Sequence, residues 1–294
     1  IPFHTKNLLE IFQKYEDEGT YFIQGFFYCL WRVRYVFDRD IVKWIQKSDD
    51  KDEELMITSV SNSDKDKTRY FTRSHSDFRK REAMLQSVLY FTGNYNTQIW
   101  LSPFLKRLLE DEEPLACLEI IDNQLSLSLE EDKPTTYKLM DREYRLLEKF
   151  DYANYLKEFN GTSFKHYWFQ KLEYILWNNW IEREDPKFKE FRIVSKNSVE
   201  HVFPQNHEFG FEIEHEALNN FGNLGLLSVS QNSSYSHQDV KKKKVDFDAK
   251  PVYDSLKLYH IYKFSNYENW TAKEIFEHRD KMIRNLIQHY ENRD

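Results

Sequence analysis

A glutamate and a histidine stand side by side at Glu200-His201, and Pro204 follows three residues later. Two asparagines come after them, Asn223 and, nine residues further on, Asn232. Carboxylate and amide oxygens are hard ligands of the kind that magnesium takes. An imidazole, with an unperturbed pKa of about 6.5, can accept a proton from water near neutral pH. Together these groups could hydrolyse a phosphodiester.

The residue types suggest a role for each position. We expect Glu200 and Asn232 to hold one Mg²⁺ or Mn²⁺ ion, with positions left open for phosphate oxygens, and His201 to be the general base. Asn223 supports catalysis by hydrogen-bonding across the segment that separates it from His201. A basic run then offers contacts to a phosphate backbone, and its members are Lys241, Lys242, Lys243 and Lys244.

Short elements must position these groups. Residues 197–205 read as a strand that ends at Pro204, because proline cannot continue a ladder of hydrogen bonds. Residues 224–229 are apolar and predict a second strand. Ser230 predicts the start of a short helix that carries Asn232 in its first turn. Strand, long loop, strand and helix would bring Glu200 and Asn232 to one opening.

The motif set resembles a known family. It consists of Glu200-His201-Val202-Phe203-Pro204-Gln205, Gly222-Asn223-Leu224, Asn232 and the lysines after it. This is similar to the HNH-type, His-x-x-Pro nuclease domain of GmrSD-type modification-dependent restriction endonucleases, over residues 191–286. The resemblance implies a ββα-metal fold and the same roles for Glu200, His201 and Asn232. It also implies metal-dependent cleavage of DNA to 5′-phosphate and 3′-hydroxyl ends, in bacterial defence against foreign or modified DNA.

The chain departs from that family in one respect. GmrSD-type proteins usually carry a ParB-like domain with a Gln-Arg-rich motif, and no such motif is present here. The first residues, Ile1-Pro2-Phe3-His4, resemble neither a signal peptide nor an initiator start. We therefore expect an upstream ParB-like domain or a partner subunit in addition to the DNA substrate.

Composition favours a mainly α protein with two domains. Seven glycines and seven prolines in 294 residues are few, while aromatic residues make up 17%. A charged segment around Pro186 divides a helical domain, residues 1–185, from a nuclease domain with closing helices, residues 186–294. The second part holds 16 basic and 16 acidic side chains, so the net charge of -7 arises upstream. A neutral domain with one basic edge can still bind a phosphate backbone locally.

The rest of the chain predicts a cytoplasmic protein. No apolar run approaches the roughly 20 residues of a membrane span. Cys29 and Cys117 lie in apolar surroundings, and we expect both to be reduced and buried. Residues 40–46 are expected to form a helix and residues 59–68 a loop. A capping box at Thr271 predicts a terminal helix with an apolar stripe.

Several alternatives remain open. His237, five residues after Asn232, competes with it as the last metal ligand. His207 and His215 lie in an acidic segment and are expected to be solvated, although either could contact DNA or a second metal. A structural zinc site is disfavoured because no cysteine lies near these residues. The whole domain could instead be a non-catalytic nucleic-acid or partner-binding module, or an RNA-cleaving toxin.

Overall fold

The computed structural model describes residues 5–46, 53–65, 68–75, 79–93, 98–130, 132–142, 148–235 and 237–291. Its first part contains α1 (Leu8–Gln13), α2 (Gly19–Asp40), β1 (Lys43–Gln46), β2 (Glu53–Met56), β3 (Thr58–Lys65), β4 (Thr68–His75), α3 (Lys80–Thr92), α4 (Leu101–Leu109), α5 (Pro114–Leu127) and α6 (Asp132–Met140). Its second part contains α7 (Tyr152–Tyr155), α8 (His166–Asn178), α9 (Pro186–Glu190), β5 (Ser198–His201), α10 (His215–Leu218), β6 (Leu224–Leu227), α11 (Val229–Tyr235), α12 (Val240–Ala249), α13 (Leu256–Phe264) and α14 (Ala272–Glu291). The mainly α prediction is confirmed.

The first half is not wholly helical, because it contains two antiparallel hairpins, β1–β2 and β3–β4. The predicted helix at residues 40–46 is wrong. From Lys43 to Gln46 half-buried and exposed side chains alternate, which is the period of a strand. The predicted loop at residues 59–68 is also wrong for residues 59–65 and 68, which lie in strands β3 and β4, and residues 66–67 lie outside the described part of the chain. Its serines pair across the strands, with the Ser59 and Ser74 hydroxyls 2.8 Å apart.

The larger of two hydrophobic clusters runs through both halves of the described chain, and a small one lies at Val42, Leu55 and Ile57. Helix α8 lies at its centre and packs against α3, α13, α14 and β6. Its apolar residues are buried, including Trp168, Leu172 and Ile175, which recur at helical spacing. Helix α8 therefore packs against β6, the partner of the strand that carries Glu200. The predicted domain boundary at residue 186 stays a prediction.

Helix α14 closes the second half as predicted. Its start has the expected capping box, in which the Thr271 amide donates to the Glu274 carboxylate at 3.2 Å. Ile275, Met282 and Leu286 form its buried stripe. The helix lies so close to the turn before β6 that a Cβ at Gly222 would be 2.0 Å from the Ile275 carbonyl oxygen.

The two cysteines differ in environment. Cys117 is buried in α5, but Cys29 is exposed, which corrects the prediction that both are buried. Cys29 is exposed because α2 buries only Val36 and Asp40. None of the described helices combines the length and the apolar character that a bilayer crossing requires. The opening residues 1–4 lie outside the described part of the chain.

Candidate functional site

The two predicted site strands form a small antiparallel ladder. Glu200 pairs with Gly225 and His201 with Leu224. Every residue of β6 is buried, which fits its continuous apolar run. Gly225 allows α13 to approach, since a Cβ there would lie 3.0 Å from the Leu258 side chain. Packing of α13 behind β6 therefore supports the ladder that carries the predicted metal ligand, Glu200, and the predicted base, His201.

The predicted residues come together in one open pocket of about 430 Å³. Glu200, His201 and Asn232 all line it, although 32 positions separate the first from the last. His237 lines the same pocket and is exposed. His237 therefore stays an alternative to Asn232 as the last predicted metal ligand.

Glu200 is held by a lysine that we predicted to be on the surface. The Lys243 ammonium donates to the Glu200 carboxylate at 2.5 Å and to the His201 carbonyl oxygen at 2.7 Å. Burial raises the pKa of Glu200, and the Lys243 charge opposes that rise. Burial lowers the pKa of Lys243, while Glu200 acts in the opposite direction. The contact is a charge-assisted hydrogen bond at the edge of the pocket.

His201 is buried at 6% exposure but still borders the pocket. Burial lowers the pKa of its imidazole, and the nearby Lys243 charge lowers it further, whereas the Asn219 contact raises it. The net shift favours the neutral ring, which is the form that a general base needs. Its Nε2 atom lies 3.5 Å from the Asn219 side-chain oxygen.

Asn219 was missed in the sequence, where nothing distinguishes it from Asn220. It connects the imidazole to the helical half, because the Gly161 amide donates to the Asn219 carbonyl at 3.0 Å. Gly161 has a positive φ of 53°, and a Cβ there would lie 2.6 Å from the Asn219 side-chain oxygen. Only glycine fits this close approach without displacing Asn219.

Asn232 presents its amide to the pocket from α11. Its nitrogen donates to the Ser198 hydroxyl at 2.6 Å, and its oxygen accepts no hydrogen bond from the described residues. The helix begins two residues earlier than predicted, since the Ser228 hydroxyl rather than that of Ser230 accepts from the Gln231 amide, at 3.3 Å. The Ser198 contact ties α11 to the strand that carries Glu200.

A second contact to α11 comes from Asp254, which the sequence gave no means of finding. Its carboxylate accepts from the Gln231 side chain at 2.7 Å and from the Tyr235 hydroxyl at 2.9 Å. These two residues flank Asn232 in the helix. Asp254 therefore helps to fix the orientation of α11 from the side away from the pocket.

Asn223 is fully buried and is not among the residues that line the pocket. Its side-chain oxygen accepts from the Phe203 amide at 2.8 Å and from the Trp270 indole at 2.9 Å. Its nitrogen donates to the Phe203 carbonyl at 3.2 Å and to that of Leu218 at 2.9 Å. The structure therefore places Asn223 behind the site, where it holds the backbone that follows His201.

The four lysines do not form one basic edge. They lie in α12, where Lys241 and Lys242 are exposed and Lys244 is half-buried against Asp248. Lys243 is only 1% exposed, which corrects its predicted place on a DNA-facing surface. The reason is helical phase, since Lys243 lies on the same face as Val240 and Phe247, which are both buried.

The acidic segment is partly packed rather than solvated. The His207 side chain is 3% exposed, and its Nε2 atom lies 3.4 Å from the Asp239 carboxylate at the start of α12. Its ring contacts Phe209 and Phe211. The expectation of a solvated His207 is therefore wrong, whereas His215 is exposed as predicted.

Comparison with known proteins supports the nuclease interpretation. Residues 150–285 match a family model described as GmrSD restriction endonucleases, C-terminal domain. The match covers slightly less than half of the chain and includes every residue that lines the pocket. This part of the chain is thus similar to a restriction endonuclease domain. Searches of the curated proteins and of the solved structures found no match.

Proposed function

We propose that this protein is an HNH-type endonuclease that hydrolyses DNA phosphodiester bonds with one bound Mg²⁺ or Mn²⁺ ion. The observation that carries the proposal is the convergence of Glu200, His201 and Asn232 on one pocket. A carboxylate, an amide and an imidazole in one open pocket match the needs of metal-assisted phosphodiester hydrolysis. The family match makes DNA the favoured substrate.

The donor set fits a hard divalent cation. Glu200 offers a carboxylate at the pocket, and the oxygen of Asn232 is free of hydrogen bonds from the described residues. Within those residues no group of three or more His, Cys, Asp or Glu side chains could hold a metal ion. A site of one carboxylate and one amide suits Mg²⁺, which keeps several waters and accepts phosphate oxygens. It does not suit a closed zinc site.

His201 supplies the proton transfer. Its neutral imidazole can accept a proton from the attacking water, and Asn219 lies against its Nε2 atom. Asn223 holds the backbone at Phe203, two residues beyond the base. When bound, the metal stabilises charge on the phosphoryl group and on the leaving 3′ oxygen. These groups together can cut one strand at a time.

The family match supports a biological setting for the proposed activity. A restriction endonuclease domain points to defence against foreign or modified DNA. We expect it to act in the cytoplasm, together with an upstream ParB-like domain or a partner subunit. The products are expected to carry 5′-phosphate and 3′-hydroxyl ends.

One observation favours a second candidate, a non-catalytic nucleic-acid or partner-binding module. Lys243 already donates to Glu200, so the carboxylate has a cationic partner before any metal binds. In a degenerate nuclease this ion pair would be a permanent structural element. An RNA-cleaving toxin uses the same chemistry and differs only in substrate.

A cleavage assay separates these candidates. The full chain is incubated with supercoiled plasmid in Mg²⁺, in Mn²⁺ or in EDTA, and with a matched RNA. We expect nicking that requires metal, and a loss of about 100-fold or more in His201→Ala. The control is His215→Ala, because His215 is exposed and does not line the pocket; it should cut like the wild type.

The outcomes are distinct. Equal activity of wild type and His201→Ala would overturn the assignment of the base. Complete inactivity of the wild type on both substrates in both metals would favour the binding module. Cleavage of RNA but not of DNA would establish the toxin.

A further inference from the structure

Lys243 is the one member of the basic run that points into the protein. Its side chain is 1% exposed, and the ammonium touches two neighbouring residues of β5, Glu200 and His201. Lys241 and Lys242 are exposed on the same helix. A lysine is rarely buried unless it is paired, so this contact is a built feature of the site.

The pair changes the charge that a metal would meet. Among the residues that line the pocket, Glu200 contributes one negative charge and Asn232 is neutral. The Lys243 ammonium, which contacts Glu200, balances that negative charge. An exposed His237 adds no negative charge. The site therefore offers almost no net attraction to a divalent cation, although it presents suitable oxygen ligands.

The ammonium has a second acceptor that does not depend on the carboxylate. Its bond to the His201 carbonyl is 2.7 Å long. The start of α12 is also fixed, because the Asp239 amide donates to the Glu208 carboxylate at 3.1 Å. Lys243 can therefore stay in place when Glu200 takes a metal as partner. Its positive charge then remains beside the metal site.

We propose that Lys243 makes metal binding at Glu200 depend on the substrate: the ammonium opposes a bare divalent cation, and a DNA phosphate in the pocket supplies the charge that lets the cation bind. This inference rests on the proposed function and adds a regulation to it. Lys243 acts as a positioning residue that also sets metal affinity. The free enzyme would thus be almost metal-free at low metal concentration and would become competent on DNA.

The test measures metal binding rather than cleavage. Mn²⁺ is titrated into the full chain by calorimetry, with and without a DNA duplex, in a His201→Ala background that prevents cutting. Without DNA, Lys243→Met should bind Mn²⁺ about tenfold more tightly than the Lys243 chain. With DNA the two should agree within about threefold, because the phosphate already balances the charge.

Two controls complete the design. Lys243→Arg retains the positive charge. Without DNA it should bind Mn²⁺ as weakly as the protein that retains Lys243. Glu200→Gln removes the carboxylate ligand and should lower Mn²⁺ affinity in both conditions. Circular dichroism shows whether each variant folds.

Equal or weaker Mn²⁺ binding by Lys243→Met in the absence of DNA would overturn the proposal. If Lys243→Met does not fold, the proposal is tested on the His201→Ala protein that retains Lys243. Its Mn²⁺ affinity must rise about tenfold or more with DNA, and the same affinity in both conditions refutes the idea. If Mn²⁺ does not bind with DNA even at millimolar concentration, the proposed function fails as well, which is a different result.

Discussion

Two buried lysine–carboxylate pairs occupy different regions of this protein. In the helical core Lys171 contacts Asp122, and both side chains are 0% exposed. At the pocket Lys243 contacts Glu200, and these side chains are 1% and 11% exposed. The chemistry is the same and the surroundings are not. A sealed pair can only support the fold, whereas a pair at an open pocket can exchange one partner for a ligand.

The sealed pair has additional partners that complete it. The Tyr167 hydroxyl donates to the Asp122 carboxylate at 2.9 Å. The Lys171 ammonium lies over the rings of Tyr174 and Tyr290, 5.5 Å and 5.4 Å from their centres. At the pocket, by contrast, Glu200 lies beside groups that face solvent. Removing one partner from each pair tests whether the open pocket lowers the cost of the remaining buried charge.

The largest expected effect is the loss of the sealed lysine. Lys171→Met leaves the Asp122 carboxylate buried with no ammonium beside it, which should lower the free energy of unfolding by about 3–5 kcal/mol. Lys243→Met should cost less, roughly 1–3 kcal/mol, because water in the pocket can solvate Glu200. Urea denaturation of the two variants and the wild type measures both. Equal losses would show that the pocket does not relieve the buried charge.

The sequence indicated which residues line the pocket more clearly than which residues hold them in place. Glu200, His201 and Asn232 all line it, and they could be selected because their types and spacing are unusual together. Their roles stay predictions. Lys243 was misplaced because four identical residues in a row hide the helical phase. Reading α12 from Val240 to Phe247 would have placed Lys243 on the apolar face.

The secondary structure was likewise predicted where the sequence signal is local and missed where distant segments determine it. The helix α14 was predicted because its stripe and capping box are local signals. The hairpins β1–β2 and β3–β4 were missed because strands of four residues and a serine-rich run carry little periodicity in the sequence, and pairing across the strands determines their structure. Asn219 and Asp254 act only through contacts between distant segments, which a single sequence does not show.

Two histidines in the second half of the chain, His260 and His278, have lowered pKa values. His278 is fully buried, and its pKa is well below the usual value because of burial and the nearby charges of Lys257, His260 and Lys281. Burial and Lys281 lower the pKa of His260 to about 4. Since the unfolded value is about 6.5, each neutral ring contributes stability that is present above pH 6.5 and is lost as the pH falls toward the folded pKa.

The His260 share can be isolated with His260→Phe, which keeps an aromatic ring beside Trp180 and Phe264. A pKa difference of about 2.5 units corresponds to about 3 kcal/mol. The decrease in unfolding free energy between pH 7 and pH 4 should therefore be smaller in the variant by up to about 3 kcal/mol. Denaturant titrations at several pH values measure this decrease. Parallel stability curves for variant and wild type would contradict it.

The smallest expected effect concerns the exposed lysines that share a helix with Lys243. Lys241→Gln and Lys242→Gln should leave the free energy of unfolding within about 0.5 kcal/mol of wild type, because both side chains are exposed. If they contact DNA phosphates, each change should reduce the slope of log affinity against log salt by about 0.9. The Lys242 effect should be the weaker one, since Glu208 lies 3.8 Å away and competes for its charge.

Fluorescence anisotropy with a labelled duplex, in the non-cutting His201→Ala background and over 50–300 mM salt, measures that slope. Lys243→Gln is the matched comparison on the same helix. It should lower stability and leave the salt slope unchanged, because its ammonium already neutralises Glu200 inside the protein. A reduced slope in Lys243→Gln, with unchanged slopes in Lys241→Gln and Lys242→Gln, would contradict the expected roles of these lysines. The pocket lysine would then be the DNA contact, and the basic surface would have no part in binding.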